Sequence, residues 1–178
     1  MPLYFITSNA GKFEEAKGIL PNLKQLAIDL PEIQELDPKV IIKAKLESAF
    51  SHNEGPFVIE DTSFALDCLG GLPGPLIKWF EQVIGNQGLF ELASRYQNYA
   101  ASVTTTLGLA KNRNDISFYS SIKHGTIVAP RGDIGFGWNP IFQPEGFNTT
   151  FAEMTIQEKN QLSMRAEAFR QLSAALTT

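Results

Sequence analysis

Leu3-Tyr4-Phe5-Ile6-Thr7-Ser8-Asn9-Ala10-Gly11-Lys12-Phe13 passes from an apolar, strand-type run (Leu3 to Thr7) straight into a helical pattern. Phe13, Ala16, Ile19 and Leu20 recur three and four apart, and Asn9 stands at the junction as an N-cap. The alternation then repeats. Lys24 to Ile28 reads as a second strand, ending at Asp29-Leu30-Pro31-Glu32. A helix opens at Asp37 or Pro38 and runs to about Phe50, with Ile42, Leu46, Ala49 and Phe50 as its buried stripe. Pro56-Phe57-Val58-Ile59 is a third strand, leading into Glu60-Asp61-Thr62-Ser63. Gly70 to Pro75 is a loop too rich in Gly and Pro for regular structure. Helical patterns resume from Leu76 and again from Gln87.

Tyr99–Lys111 and Ile116–Val128, separated by Asn112-Arg113-Asn114-Asp115, form a long antiparallel hairpin. Tyr99, Ala101, Val103, Thr105, Leu107 and Leu109 share one of its faces. Thr155 to Leu176 is helical but not one helix. Thr155 and Glu158 make a capping box for a short first segment, and Ser163 caps a second with Ala166, Phe169, Leu172 and Leu176 at its buried positions. The order predicts an α/β fold around a mixed sheet, in a single domain spanning residues 1–178. Ligands of such sheets sit at strand C-terminal ends, where Thr7-Ser8-Asn9 and Glu60-Asp61 both fall.

The 178 residues are enough to bury a core without staples, and 43% hydrophobic with 19% charged residues describes a globular chain. The single Cys68 excludes an internal disulfide framework and fits a reducing compartment. Met1 to Ile6 is too short an apolar run for a signal peptide, and no stretch approaches a membrane span, so a cytoplasmic location is expected. The net charge of −4 argues against a nucleic-acid or anionic-membrane surface. If the protein handles phosphates, it must do so with a few locally placed cations.

Three groups of residues carry candidate chemistry. Thr7 to Lys12 joins a strand to a helix, where free amides and the helix dipole make an anion site; Gly11 allows close approach and Lys12 adds charge. The spacing is not that of a Walker A loop, and a capped surface helix with a solvated lysine is the plain alternative. Glu32, Glu60 and Asp61 are the second group. A carboxylate ending an apolar strand needs a cation, and beside phosphate Mg²⁺ is the natural one. The third is Pro130-Arg131-Gly132-Asp133-Ile134-Gly135-Phe136-Gly137-Trp138-Asn139-Pro140-Ile141-Phe142, followed by Lys159 and Arg165. Flat rings, an amide and two cations suit a purine with phosphates, although Phe136 and Trp138 also suit a core. Lys45 and Lys78 are further cations, Lys43 is solvated, and His52 and His124 lie in polar surroundings without zinc spacing.

These residues together resemble the inosine triphosphate pyrophosphatase family. Thr7-Ser8-Asn9-Ala10-Gly11-Lys12-Phe13-Glu14-Glu15 matches its TxNxxKxxE signature, and Asp29 to Glu32, Glu60 to Thr62, Gly70 to Phe80, Phe136 to Trp138 and Glu158 to Asn160 match further blocks in order. The resemblance implies an elongated two-lobed homodimer with the active site in the inter-lobe cleft. It implies hydrolysis of deaminated purine nucleoside triphosphates (ITP, dITP, XTP) to the monophosphate and pyrophosphate, with Mg²⁺ as cofactor. Thr7, Ser8, Asn9, Ala10, Gly11 and Lys12 would hold the triphosphate, and Glu32 and Asp61 the metal, Asp61 also acting as general base. Thr62 joins the substrate-binding set, with Lys45, Lys78 and Lys159 on phosphates or sugar. Phe136, Gly137, Trp138 and Asn139 would form the base pocket, closed by Met164 and Arg165. Asn139 and Met164 stand where the family usually has Asp and His, which leaves open a pyrophosphatase for other modified or pyrimidine nucleotides, or a weakly catalytic nucleotide-binding protein. Asn139→Asp is expected to sharpen selection of inosine over adenosine triphosphate, unless Asn139 caps a turn before Pro140.

Overall fold

The structure, a computed structural model, describes residues 2–177. Seven strands and five α-helices follow one another as β1 (Tyr4–Ile6), α1 (Ala10–Lys17), β2 (Lys24–Leu26), α2 (Pro38–Phe50), β3 (Phe57–Leu66), β4 (Pro73–Gly74), α3 (Ile77–Tyr96), β5 (Ala100–Asn112), β6 (Asp115–Ile127), β7 (Phe142–Pro144), α4 (Ile156–Leu162) and α5 (Met164–Leu176) among the described residues. They build one mixed sheet in the order β2-β1-β3-β5-β6-β7, with β4 attached to β3. β1 runs parallel to both β2 and β3, whereas β4 on β3 and β7 on β6 are antiparallel. The mixed α/β architecture is the one the order of elements predicts.

The chain divides into two compact units. The first is Met1–Asp61, Thr105–Ser121 and Met164–Thr178; the second is Thr62–Thr104 and Ile122–Ser163. In the first unit the pleat sends alternate residues to opposite faces. Phe5, Val58, Leu107 and Leu109 meet Ala16 of α1 and Ala168, Phe169 and Leu172 of α5 on one face. Ile6, Phe57, Ile59 and Ala110 meet Ile42, Leu46 and Ala49 of α2 on the other. With both faces covered, β5 is buried without interruption from Thr105 to Ala110, where the hairpin pattern predicts a single buried face. Over Ala100–Thr104, which belong to the second unit, the simple alternation returns. Tyr99, placed on the buried face by its spacing, lies outside the strand and is exposed.

The second unit has an aromatic core. Trp138 packs on Phe64, Phe142 and Phe151 with ring centroids 5.3, 5.9 and 6.2 Å apart. α3 is broken at Gly85 (φ 66°, ψ −179°), which accounts for the two successive helical patterns read from Leu76 and Gln87. Three other expectations are corrected. α1 ends at Lys17, capped by Gly18, so Ile19 and Leu20 pack on the core from beyond the helix. Pro73 and Gly74 are a strand, not loop, because the antiparallel register sets them against Ala65 and Phe64. Leu176 is exposed at the end of α5. The break between α4 and α5 falls at Ser163, in extended conformation, and the Thr155–Glu158 capping box is present. No helix among the described residues is long and apolar enough to cross a membrane.

Candidate active site

Glu60 and Asp61 are the fourth and fifth residues of the ten-residue β3, not its end. What ends beside them is β1. Tyr4 is level with Phe57 and Phe5 with Val58; at the same register Thr7, just past the last residue of β1, comes level with Glu60. The parallel part of the sheet therefore stops where the carboxylates begin. β3 carries on as an antiparallel partner of β4.

Being adjacent on a strand, Glu60 and Asp61 point to opposite faces, and each meets the cation its face supplies. Glu60 lies on the α1/α5 side. Arg165 of α5 clasps it with two hydrogen bonds, Nε to Oε2 at 2.7 Å and a terminal nitrogen to Oε1 at 3.0 Å. The third guanidinium nitrogen binds Glu15 of α1 at 2.5 Å, and Lys12 Nζ lies 3.1 Å from Glu60 Oε1. Arg165 is only 2% exposed. Burial alone lowers its pKa, but the Glu60 and Glu15 carboxylates more than offset that and leave it raised. A guanidinium so committed anchors α5 to β3 and α1. In this structure Arg165 stands in that cluster, and Met164 beside it is fully buried.

Asp61 faces α2. Lys45 Nζ lies 4.0 Å from Asp61 Oδ1 and 2.6 Å from Glu32 Oε1, so one ammonium serves both carboxylates. Asp61 is 4% exposed and its Oδ2 has no hydrogen-bond partner. Its pKa is raised to about 6: burial drives it up, Lys45 and Lys12 pull it down, and Glu32 and Glu60 add a further rise. An orphaned buried carboxylate oxygen, next to a second carboxylate, is a hard-oxygen set that suits Mg²⁺. Among the described residues no group of three or more His, Cys, Asp or Glu side chains is arranged to hold a metal.

The loop from Thr7 to Lys12 is set by short-range bonds. Asn9 N–H donates to Thr7 Oγ1 at 3.1 Å, and Asn9 Oδ1 accepts from Lys12 N–H at 3.0 Å. Asn9 is thereby the N-cap of α1, as its sequence position predicts. The amides of Ala10 and Gly11 open the helix, where no intrahelical carbonyl is available to them.

In the second unit half-buried Phe136 sits between exposed Gly135 (φ 91°) and Gly137 (φ 61°), which take left-handed backbone. Lys159, itself buried, places its ammonium 5.2 Å from the centroid of Phe136 and 5.4 Å from that of Phe151. Trp138 is in the aromatic core. Asn139 is also buried, and its Nδ2 donates to the carbonyl of Phe136; this is the turn-bracing alternative to base recognition. Its Oδ1 has no partner. A Cβ at Gly135 would come within 2.9 Å of Asn139 Nδ2, which is why glycine is needed there. Lys78, on the first turn of α3, is exposed beside Trp79. Thr62 is half-buried on β3.

Two contributors had no role assigned from sequence. Glu15 closes the Arg165 cluster; its signal was present as the final acid of the TxNxxKxxE signature. Asn86, just past the α3 break, donates from Nδ2 to Gly137 O at 2.9 Å. Nothing in the local pattern announces that contact, which joins residues 51 apart.

Comparison with known proteins follows the same lines. Three solved structures share the fold over nearly the whole of both chains. A HAM1 protein from Coxiella burnetii is 24% identical with a TM-score of 0.81, covering 99% of each chain. The Staphylococcus aureus Ham1 protein is 21% identical with a TM-score of 0.78, covering 98% of each. A nucleoside-triphosphatase / dITP/XTP pyrophosphatase from Mycobacterium abscessus is 24% identical with a TM-score of 0.70, covering 100% of each. The Ham1 family model matches residues 3–175, so the chain belongs to the Ham1 family, the inosine triphosphate pyrophosphatase family that its motifs resemble.

Proposed function

We propose that this protein hydrolyses deaminated purine nucleoside triphosphates (ITP, dITP and XTP) to the monophosphate and pyrophosphate, with Mg²⁺ held by Glu32 and Asp61. The observation that carries the reading is Asp61: a buried carboxylate with one orphaned oxygen, flanked by two acids and two lysines. Family membership and the pyrophosphatase activity named for the M. abscessus relative support the same chemistry.

Bound Mg²⁺ supplies charge neutralisation for the triphosphate and for the departing pyrophosphate. The chain's residues do the remainder. The amides of Ala10 and Gly11 and the Lys12 ammonium bind phosphate oxygens at the start of α1. Asp61 takes the proton of the attacking water, which requires it to be ionised. Lys45 is assigned to phosphate, and Lys78 to phosphate or sugar. Phe136 offers its half-exposed face to the base. Lys159, over the Phe136 ring, is assigned with Lys78 to phosphate or sugar. A homodimer and a cytoplasmic location complete the reading, supported by the family resemblance and by the single cysteine.

Pyrophosphate release from a panel of ITP, dITP, XTP, ATP, GTP and pyrimidine triphosphates, with and without Mg²⁺, tests it. Release confined to the deaminated purines with Mg²⁺ is expected. Equal release from the pyrimidines, or none from any nucleotide, would overturn it.

A further inference from the structure

We propose that Lys45 is an internal cation occupying the charge of the Glu32–Asp61 pair, so that a divalent metal binds those carboxylates tightly only together with a triphosphate. The inference rests on the metal assignment made above and concerns how that site fills.

Lys45 already holds Glu32 at 2.6 Å and reaches Asp61 at 4.0 Å, with its side chain largely buried. The wider cluster is close to balanced. Lys12, Lys45 and Arg165 stand against Glu15, Glu32, Glu60 and Asp61, three positive groups for four negative. A bare divalent ion entering here must face an ammonium shared by its two ligands, beside an Asp61 that is buried and so poorly screened, although Glu32 is exposed. No third His, Cys, Asp or Glu joins the pair among the described residues. Magnesium is typically held by one or two carboxylates plus substrate phosphates and water. A triphosphate removes both obstacles, because it donates oxygens to the metal and a polyanion to which the Lys45 ammonium can turn. Metal and nucleotide then raise each other's affinity, as linkage requires. Arg165 cannot play the same part: its nitrogens are committed to Glu60 and Glu15 on the other face of β3.

Mn²⁺ binding followed by electron paramagnetic resonance is the test, using an inosine triphosphate analogue with an imido bridge between the α and β phosphorus atoms. Lys45→Gln removes the charge and leaves a polar side chain one atom shorter. Lys43→Gln, on the same helix but facing Phe118, controls for net charge. Thermal melts establish that both variants are folded. Wild type should bind Mn²⁺ about tenfold or more tighter with the analogue than without it. Lys45→Gln should bind Mn²⁺ alone about tenfold tighter than wild type and show a smaller gain from the analogue, a change no loss of structure produces. If Lys45→Gln binds Mn²⁺ alone no tighter than Lys43→Gln, while wild type binds it with the analogue, the role given to Lys45 is wrong. If no variant binds Mn²⁺ even with the analogue, the metal assignment itself falls, and this inference with it.

Discussion

At Asp61 a local cost and a chemical capacity are the same thing. Its carboxyl ionises near pH 6 because burial outweighs two lysines. The folded pKa lies above the ordinary 3.8, so the protonated form stabilises the metal-free protein below the unfolded pKa, and that share is lost as pH rises through about 6. Asp61→Asn has no such loss. In metal-free urea melts, its stability relative to wild type should rise across that window by up to about 3 kcal/mol, and a flat difference would contradict the shift. Mg²⁺ binding must expel the proton, so calorimetry in buffers of differing ionisation enthalpy should register more proton release near pH 5.5 than near 7.5. Turnover of Asp61→Asn should fall by roughly 10²–10⁴-fold with the fold intact. Asn139 presents the opposite case. Its amide donates to the Phe136 carbonyl, so Asn139→Asp would set a carboxylate against that carbonyl and cost about 1–3 kcal/mol of stability in denaturant melts. An unchanged ratio of inosine to adenosine triphosphate kcat/KM in that variant would assign Asn139 to bracing the loop alone.

Among the elements, α3 shows how one residue redirects a helix. Gly85 at φ 66° and ψ −179° occupies backbone essentially closed to other residues, and a Cβ there would touch nothing. Any penalty on substitution is therefore conformational rather than steric crowding by neighbours. Gly85→Ala should cost about 1–3 kcal/mol in denaturant melts, and a variant as stable as wild type would show that the helix can straighten without penalty. The break also places Asn86 against Gly137, so loss of the loop's protection from hydrogen exchange in Gly85→Ala would tie helix and loop together. The junction of α4 and α5 was more legible. The Thr155–Glu158 capping box is a four-residue signal, and it is formed at the start of α4. The α3 break was legible only as an interruption of pattern, because periodicity cannot report the sign of φ.

For the whole molecule, the Arg165 cluster ties chain segments far apart in sequence, at separations of 105 residues to Glu60 and 150 to Glu15. Removing the arginine takes the guanidinium from two buried carboxylates, Glu15 and Glu60, and leaves Lys12 beside Glu60. Arg165→Met should therefore destabilise by roughly 3–5 kcal/mol. The companion variant Glu15→Gln/Glu60→Gln/Arg165→Met, which removes the charges together, should recover much of that loss in the same melts. No recovery would mean that the cluster stabilises through geometry rather than charge balance. What the sequence determined by itself was whatever short range controls: the strand–helix alternation, the Asn9 cap, the hairpin, the split before α5 and the family signature. Those follow from periodicity and from side chains reaching backbone a few residues away. Only the tertiary structure decided which carboxylate meets which cation. The pleat sends Glu60 and Asp61 to opposite faces, and the helix covering each face brings its own charge: Arg165 and Lys12 to Glu60, Lys45 to Asp61. Pairing across a sheet depends on register and packing between distant segments, and residue spacing along the chain carries no record of it.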